Sequence, residues 1–293
     1  MSIDNTTQSV NVKAFDMTKE ATLVKLSITK YGGNKKDKGL AEESAEKHEM
    51  NADVVSTTLT VLDKTVTKIV GKIASAARTW LNHNAAVYDD TGWRMIRNSQ
   101  FEKIRTQLEA YKLEFMEAVN ENIISKYDAL REQAVYDLGG RFDMIGFPSK
   151  DELASRYTFE VKTQMVTDPD DVRCSHLPQS TIDEIKGGNN AVAVNNQKKI
   201  LDLLKHIAKH IKETLSDPDK KFKNSLITNI HDAIDVVPSL NFTNDPTITQ
   251  MAARLKKDLS GFNPDDLRKD PEVRKEAAAK AGTMLDDLAN ANL

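Results

Sequence analysis

The chain has 293 residues, 39% hydrophobic and 29% charged, with a net charge of −3. That balance gives no global electrostatic case for nucleic acid or a membrane surface, and a single cysteine, Cys174, excludes an intrachain disulfide. Only 12 glycines and 8 prolines favour helices over a many-turned β architecture.

Residues 1–20 are rich in Asn, Thr and Ser and read as a flexible arm without an apolar leader. In Thr22–Tyr31, Val24, Leu26 and Ile28 alternate with Lys25, Ser27 and Thr29, which predicts a strand with one buried face. Gly32-Gly33 ends it, and Asn34–Gly39 reads as a solvated basic turn. Leu40–Met50 reads as a short acidic helix. Asn51–Asn84 reads as a long amphipathic helix on the stripe Val55, Leu59, Leu62, Val66, Ile73 and Trp80.

Asp89-Asp90-Thr91-Gly92 is turn chemistry. Ser99 and Glu102 have capping-box spacing, and from there Phe101, Ile104, Leu108, Tyr111, Phe115, Val119, Ile123, Tyr127, Leu130, Ala134 and Leu138 mark one helical stripe. At about 1.5 Å per residue, a helix over Ser99–Leu138 would be roughly 60 Å long and needs a partner helix. We read an antiparallel helical hairpin with Asn51–Asn84, with Trp93, Arg94 and Arg97 near its tip. After the stop at Gly139-Gly140, Ser149–Ser155 reads as a short capped helix and Tyr157–Val166 as a second strand, which could pair with Leu23–Lys30.

Beyond Asp168, several Asp-Pro or Asn-Pro steps start short helices. These are expected at Gln179–Lys186, Ala191–Leu215, Lys220–Val236, Pro246–Ser260 and Pro271–Ala289, with Gly187-Gly188 as an internal boundary. The last one has little core character and is expected to lie exposed or on a partner. The fold expected is therefore mainly α: a long antiparallel helical hairpin, a minor two-stranded antiparallel sheet and a C-terminal helical region. Its domains are an arm over 1–20, a strand-plus-hairpin domain over 21–178 and helices over 179–293.

The chemistry-bearing patterns are sparse. His206 and His210 have the i, i+4 spacing of a metal clamp, but no zincin glutamate follows His206. Asp168-Pro169-Asp170-Asp171 lacks the glycine and distal glutamate of an EF-hand and reads as a helix start. No P-loop, dinucleotide fingerprint or nucleophile elbow occurs. We therefore expect no metal, no cofactor and no enzymatic activity. No run approaches the roughly 20 apolar residues of a membrane span, so a soluble, cytoplasmic protein without a membrane partner is expected.

Asp90-Thr91-Gly92-Trp93-Arg94-Met95-Ile96, the helix carrying Tyr111, Phe115 and Tyr127, Leu138-Gly139-Gly140-Arg141-Phe142, Gly146-Phe147-Pro148 and Phe159-Glu160-Val161 form a further pattern. Leu26-Ser27-Ile28 and Tyr31-Gly32-Gly33-Asn34-Lys35-Lys36 belong with it. Over about Leu23–Asp171 it resembles a family of phage and plasmid proteins known as a domain of unknown function. Genes of that family often stand near those of MoxR/CobS-type AAA+ ATPases. The resemblance implies a phage or mobile-element protein, located in the host cytoplasm, with an AAA+ ATPase as a partner; it brings no catalytic residues.

The function expected is structural or adaptor work: self-assembly into a homo-oligomer, or docking on a partner protein through helical faces. Trp93 would anchor the contact, and Arg94 and Arg97 would orient it. The alternative is nucleic-acid binding by the lysine-rich 198–223 helices, through Lys198, Lys199, Lys205, Lys209 and Lys212. The absence of arginine there leaves bidentate base readout poorly provided for.

Overall fold

The computed structural model describes residues 16–224, 234–242, 244–260 and 262–290. The chain is mainly α-helical with a small antiparallel sheet. Its elements run α1 (Met17–Glu20), β1 (Ala21–Thr29), β2 (Asn34–Lys36), α2 (Lys38–Lys47), β3 (Thr58–Thr60), α3 (Lys64–Asn84), β4 (Ala86–Val87), β5 (Trp93–Arg97) and α4 (Phe101–Val119). A π-helical turn (Asn120–Ile124) leads to α5 (Tyr127–Leu138), α6 (Phe142–Ile145), α7 (Lys150–Ser155), β6 (Thr158–Met165) and α8 (Gln179–Leu215). Residues 234–240 are helical. Then come α9 (Pro246–Ser260), α10 (Asp266–Lys269) and α11 (Pro271–Asn290). One sheet has the order β4-β5-β1-β6, and β2 pairs with β3 in a second.

The chain divides into two compact units, and it passes between them near residues 24, 81, 101 and 162 rather than at the linear boundaries 20 and 178. One unit holds residues 25–81 and 102–162. Its core joins Val70, Ala74 and Ala77 of α3 to Phe115, Ala118 and Val119 of α4, with Ile28, Leu153 and Phe159. The Phe115 and Phe159 rings lie 5.7 Å apart, and Trp80 and Tyr111 6.3 Å apart. Burying each such side chain contributes about 1.5–3 kcal/mol.

The other unit holds residues 16–24, 82–101 and the described residues from 163 onward. Its larger cluster packs Ile200, Leu204, Ile207 and Ile211 of α8 against Ile248 and Leu255 of α9 and Ala277, Ala281 and Met284 of α11. A smaller one joins Met17, Leu23, Ala86, Met95 and Phe242.

Several expectations are corrected. The helix expected from Asn51 starts only at Lys64, because Ala52–Val54 form a 3-10 turn and, in the Thr-rich stretch after it, Thr58–Thr60 takes extended backbone and pairs with Asn34–Lys36. Asp63 opens α3 by accepting from the Thr65 amide at 2.7 Å. The single helix over Ser99–Leu138 is interrupted by the π turn, in which the Ser125 amide reaches back to the Asn120 carbonyl. No Ser99 cap forms; the chain enters α4 through a 3-10 turn at Asn98–Gln100.

The sheet containing β1 and β6 has four strands rather than two, because β4 and β5 form a short hairpin with Ala86 opposite Met95. Gly187-Gly188 is no boundary: one helix of 37 residues runs through it, with open space where either Cβ would stand. The last helix is not a loose tail, since its Ala277, Ala278, Ala281, Met284 and Leu288 are buried. Its small residues let it approach α8 closely, with the Lys212 stem 3.5 Å from the place of a Gly282 Cβ. Of the arm expected over 1–20, residues 1–15 lie outside the described residues, while Asp16 caps α1 and Met17 is buried. Of Lys220–Val236, residues 220–224 are not helical and 225–233 lie outside the described residues.

Candidate functional site

Trp93, Arg94 and Arg97 all lie on β5, and each is half-buried. The β4–β5 turn is held by Asp89, whose carboxylate accepts from the Thr91 and Trp93 amides at 3.0 Å and from the Thr91 hydroxyl at 2.8 Å. Burial works against the Asp89 charge, but these hydrogen bonds outweigh it and hold the carboxyl below the usual range. Trp93 is half-buried against the Met95–Phe242 cluster. Arg94 donates to the Asn82 side chain at 2.8 Å and to the Trp93 carbonyl. Arg97 donates to the Asn241 carbonyl and to Asn244 Oδ1 at 2.7 Å, and lies 5.6 Å from the centre of the Phe242 ring.

The lysines expected to serve nucleic acid lie on α8. Lys198, Lys199, Lys209 and Lys212 are exposed and Lys205 is half-buried. Acids share that solvent side: Asp202 stands between Lys198 and Lys205 in the helical repeat, and Glu213 pairs with Lys209 at 3.8 Å. His206 and His210 are exposed and their rings stack, with centres 6.3 Å apart. Among the described residues, no group of three or more His, Cys, Asp or Glu is placed to hold a metal ion. Asp170 and Asp171 pair with Lys186 and Arg173 instead, and hydrogen bonds from Arg173 bring the Asp171 carboxyl down to about 2.

Sequence reasoning missed a basic groove in the unit of residues 25–81 and 102–162. It has a volume of about 480 Å³ between the end of β1 and the first turns of α3, and Lys30, Lys68 and Lys72 line it with Thr67 and Ser75. Its two walls are locked together. The Gly33 carbonyl accepts from the amides of both Val61 and Leu62, and β2 pairs with β3 in the register Asn34–Thr60 and Lys36–Thr58. Gly33 has φ +70°, and a Cβ there would meet Leu62 at 3.0 Å, so this clasp needs glycine. Lys35, which belonged to the basic turn of the sequence, is spent structurally: its ammonium donates to the Ile145 and Gly146 carbonyls at 2.9 and 2.8 Å. The sequence signal was available, since α3 carries Lys64, Lys68, Lys72 and Arg78 and no acid from Lys64 to Asn84.

The same unit also exposes apolar side chains on its helices. Leu113 is 64% exposed and Met116, one turn on, is exposed beside it on α4. On α5, Tyr136 is 84% exposed and Val135 is exposed next to it. Comparison with known protein families, curated proteins and solved structures found no match to this chain.

Proposed function

We propose that this chain is a non-enzymatic structural or adaptor protein of a phage or mobile element, and that it assembles with copies of itself through helical faces. In this reading α3 and α4 form the antiparallel hairpin that stiffens the unit, and α4 and α5 present the contact. The observation that carries it is the exposure of Leu113, Met116, Val135 and Tyr136 on those helices. Large apolar and aromatic side chains left in water gain most from being covered by a partner. The family resemblance favours an AAA+ ATPase as a further partner. The rival, nucleic-acid binding by the α8 lysines, is less supported, because Asp202 and Glu213 offset part of their charge.

Light scattering of the purified full chain tests the proposal. The expected mass is a multiple of 32.7 kDa, and Leu113→Asp combined with Tyr136→Asp shifts it toward the monomer. Both sites are exposed, so the melting temperature of the double variant should barely move. A wild-type chain that stays monomeric at high concentration would overturn self-assembly.

A further inference from the structure

We infer that the groove between the end of β1 and α3 is a binding site for phosphoryl groups, carried by an oligophosphate or by a nucleic-acid backbone. This stands independently of the helix-face proposal, whose test reads mass rather than ligand.

Three observations carry it. First, Lys30, Lys68 and Lys72 converge on one cavity, and among the described residues none of them forms an ion pair. Like charges one helical turn apart, as Lys68 and Lys72 are, repel one another in the free protein, which a polyanion would relieve. A single carboxylate cannot neutralise three ammonium groups, whereas adjacent phosphoryl groups can. Lysine also suits phosphate as a point charge, where a planar carboxylate partner would favour arginine.

Second, Gly71 stands inside α3, where glycine disfavours the helix relative to alanine. Outside the backbone of its own helix and its chain neighbours, the heavy atom that the place of its Cβ would meet among the described residues is the Lys30 Nζ, at 3.0 Å. The missing side chain is what lets the Lys30 ammonium lie over the helix, beside the lysines of α3. Third, the site is built before any ligand arrives. The Gly33 clasp and the β2–β3 pairing fix the Lys30 wall against the segment that starts α3. Ser75 supplies a hydroxyl donor on the helix wall, whereas the Thr67 hydroxyl already donates to the Lys64 carbonyl at 3.1 Å.

The nearest acid on the helix is Asp63, one turn before Thr67, and its carboxylate is engaged by the Thr65 amide. The groove therefore differs from the α8 surface in what its cations already have.

The test titrates the full chain with inorganic tripolyphosphate and, separately, with an oligothymidylate, at low and at physiological salt. Both wild-type affinity and its salt dependence should fall when Lys30→Gln, Lys68→Gln and Lys72→Gln are combined, with a loss of at least about tenfold at low salt. Combining Lys198→Gln, Lys205→Gln and Lys209→Gln should leave affinity unchanged. Tripolyphosphate should raise the melting temperature of the wild type but not of the groove variant. Gly71→Ala should weaken binding without lowering the melting temperature, since it displaces Lys30 while favouring the helix. Binding of tripolyphosphate alone points to a free oligophosphate; binding of the oligonucleotide points to a nucleic-acid backbone. No binding of either probe, equal losses from the groove and α8 variants, or unchanged affinity in Gly71→Ala would overturn the site.

Discussion

Helices α3 and α8 both display lysines, and they dispose of the charge differently. On α8, Lys209 faces Glu213, Asp202 sits among the lysines, and the stem of Lys212 packs near Gly282 of α11. Even the end of α8 is answered from within the unit. Arg274 of α11 is buried and donates to the carbonyls of Thr214, Leu215, Asp217 and Lys220, with 3.0 Å to Thr214 and 3.1 Å to Leu215. The Thr214 and Leu215 carbonyls are acceptors at the C-terminus of α8, where a cation is also favoured by the helix dipole. On α3, by contrast, the cations at 68 and 72 have no carboxylate, and a groove opens beside them. The lesson is that a count of lysines locates positive charge, but only their partners decide whether it is available to a ligand.

The comparison can be broken most forcefully at Arg274. Replacing it with methionine takes the Arg274 donor from the buried Thr214 and Leu215 carbonyls, and should cost about 2–4 kcal/mol of stability in urea denaturation, with tripolyphosphate affinity unchanged while the protein stays folded. A loss under about 0.5 kcal/mol would mean that α8 does not depend on this cap.

The second effect concerns the wall of the groove. Burial, and then the neighbouring Tyr31 phenol, push the Tyr157 hydroxyl up to about 12. The folded chain holds that proton more tightly than the unfolded one does. The stability this contributes is therefore fully present below about pH 10 and is lost between pH 10 and 12. Burial also raises the Tyr31 and Tyr88 phenols, so ultraviolet titration should show a late-ionising set of tyrosines whose last step is lost in Tyr157→Phe; a last step that survives in that variant would contradict the burial of Tyr157.

The third effect is smaller. Gly71→Ala should add about 1 kcal/mol to stability, since alanine suits the helix interior and only a flexible lysine end must move. Smallest of all, Lys209→Gln should change stability by less than about 0.5 kcal/mol, as a solvent-exposed pair does. A larger change in urea denaturation would show that the α8 ion pairs carry structural weight.

Much of the helical layout could be read from residue patterns. The Asp-Pro step at Asp245 located α9, and the Asp270 step located the start of α11. The Ser149 cap followed by Asp151 and Glu152 located α7, and the alternation of Val24, Leu26 and Ile28 located β1. Other features left no such trace. Two- and three-residue strands such as Ala86–Val87 and Thr58–Thr60 are too short for alternation to show. The π turn at Asn120–Ile124 adds a residue without disturbing a stripe of threes and fours. Alanine and glycine in α11 looked like exposed helix formers, yet small side chains also build close helix contacts, and only packing tells the two apart.

The site was harder to read for a related reason. Charge was sought where lysines are most numerous, at 198–223, whereas the open groove depends on the absence of acids along α3. It also depends on a residue from β1's end, Lys30, brought beside that helix by Gly33.

The most direct test is to follow backbone amide chemical shifts of the labelled full chain as inorganic tripolyphosphate is added. The account predicts that the largest changes fall at residues 30–32 and 67–75. Changes centred on 198–212, or spread evenly over the exposed lysines, would contradict it.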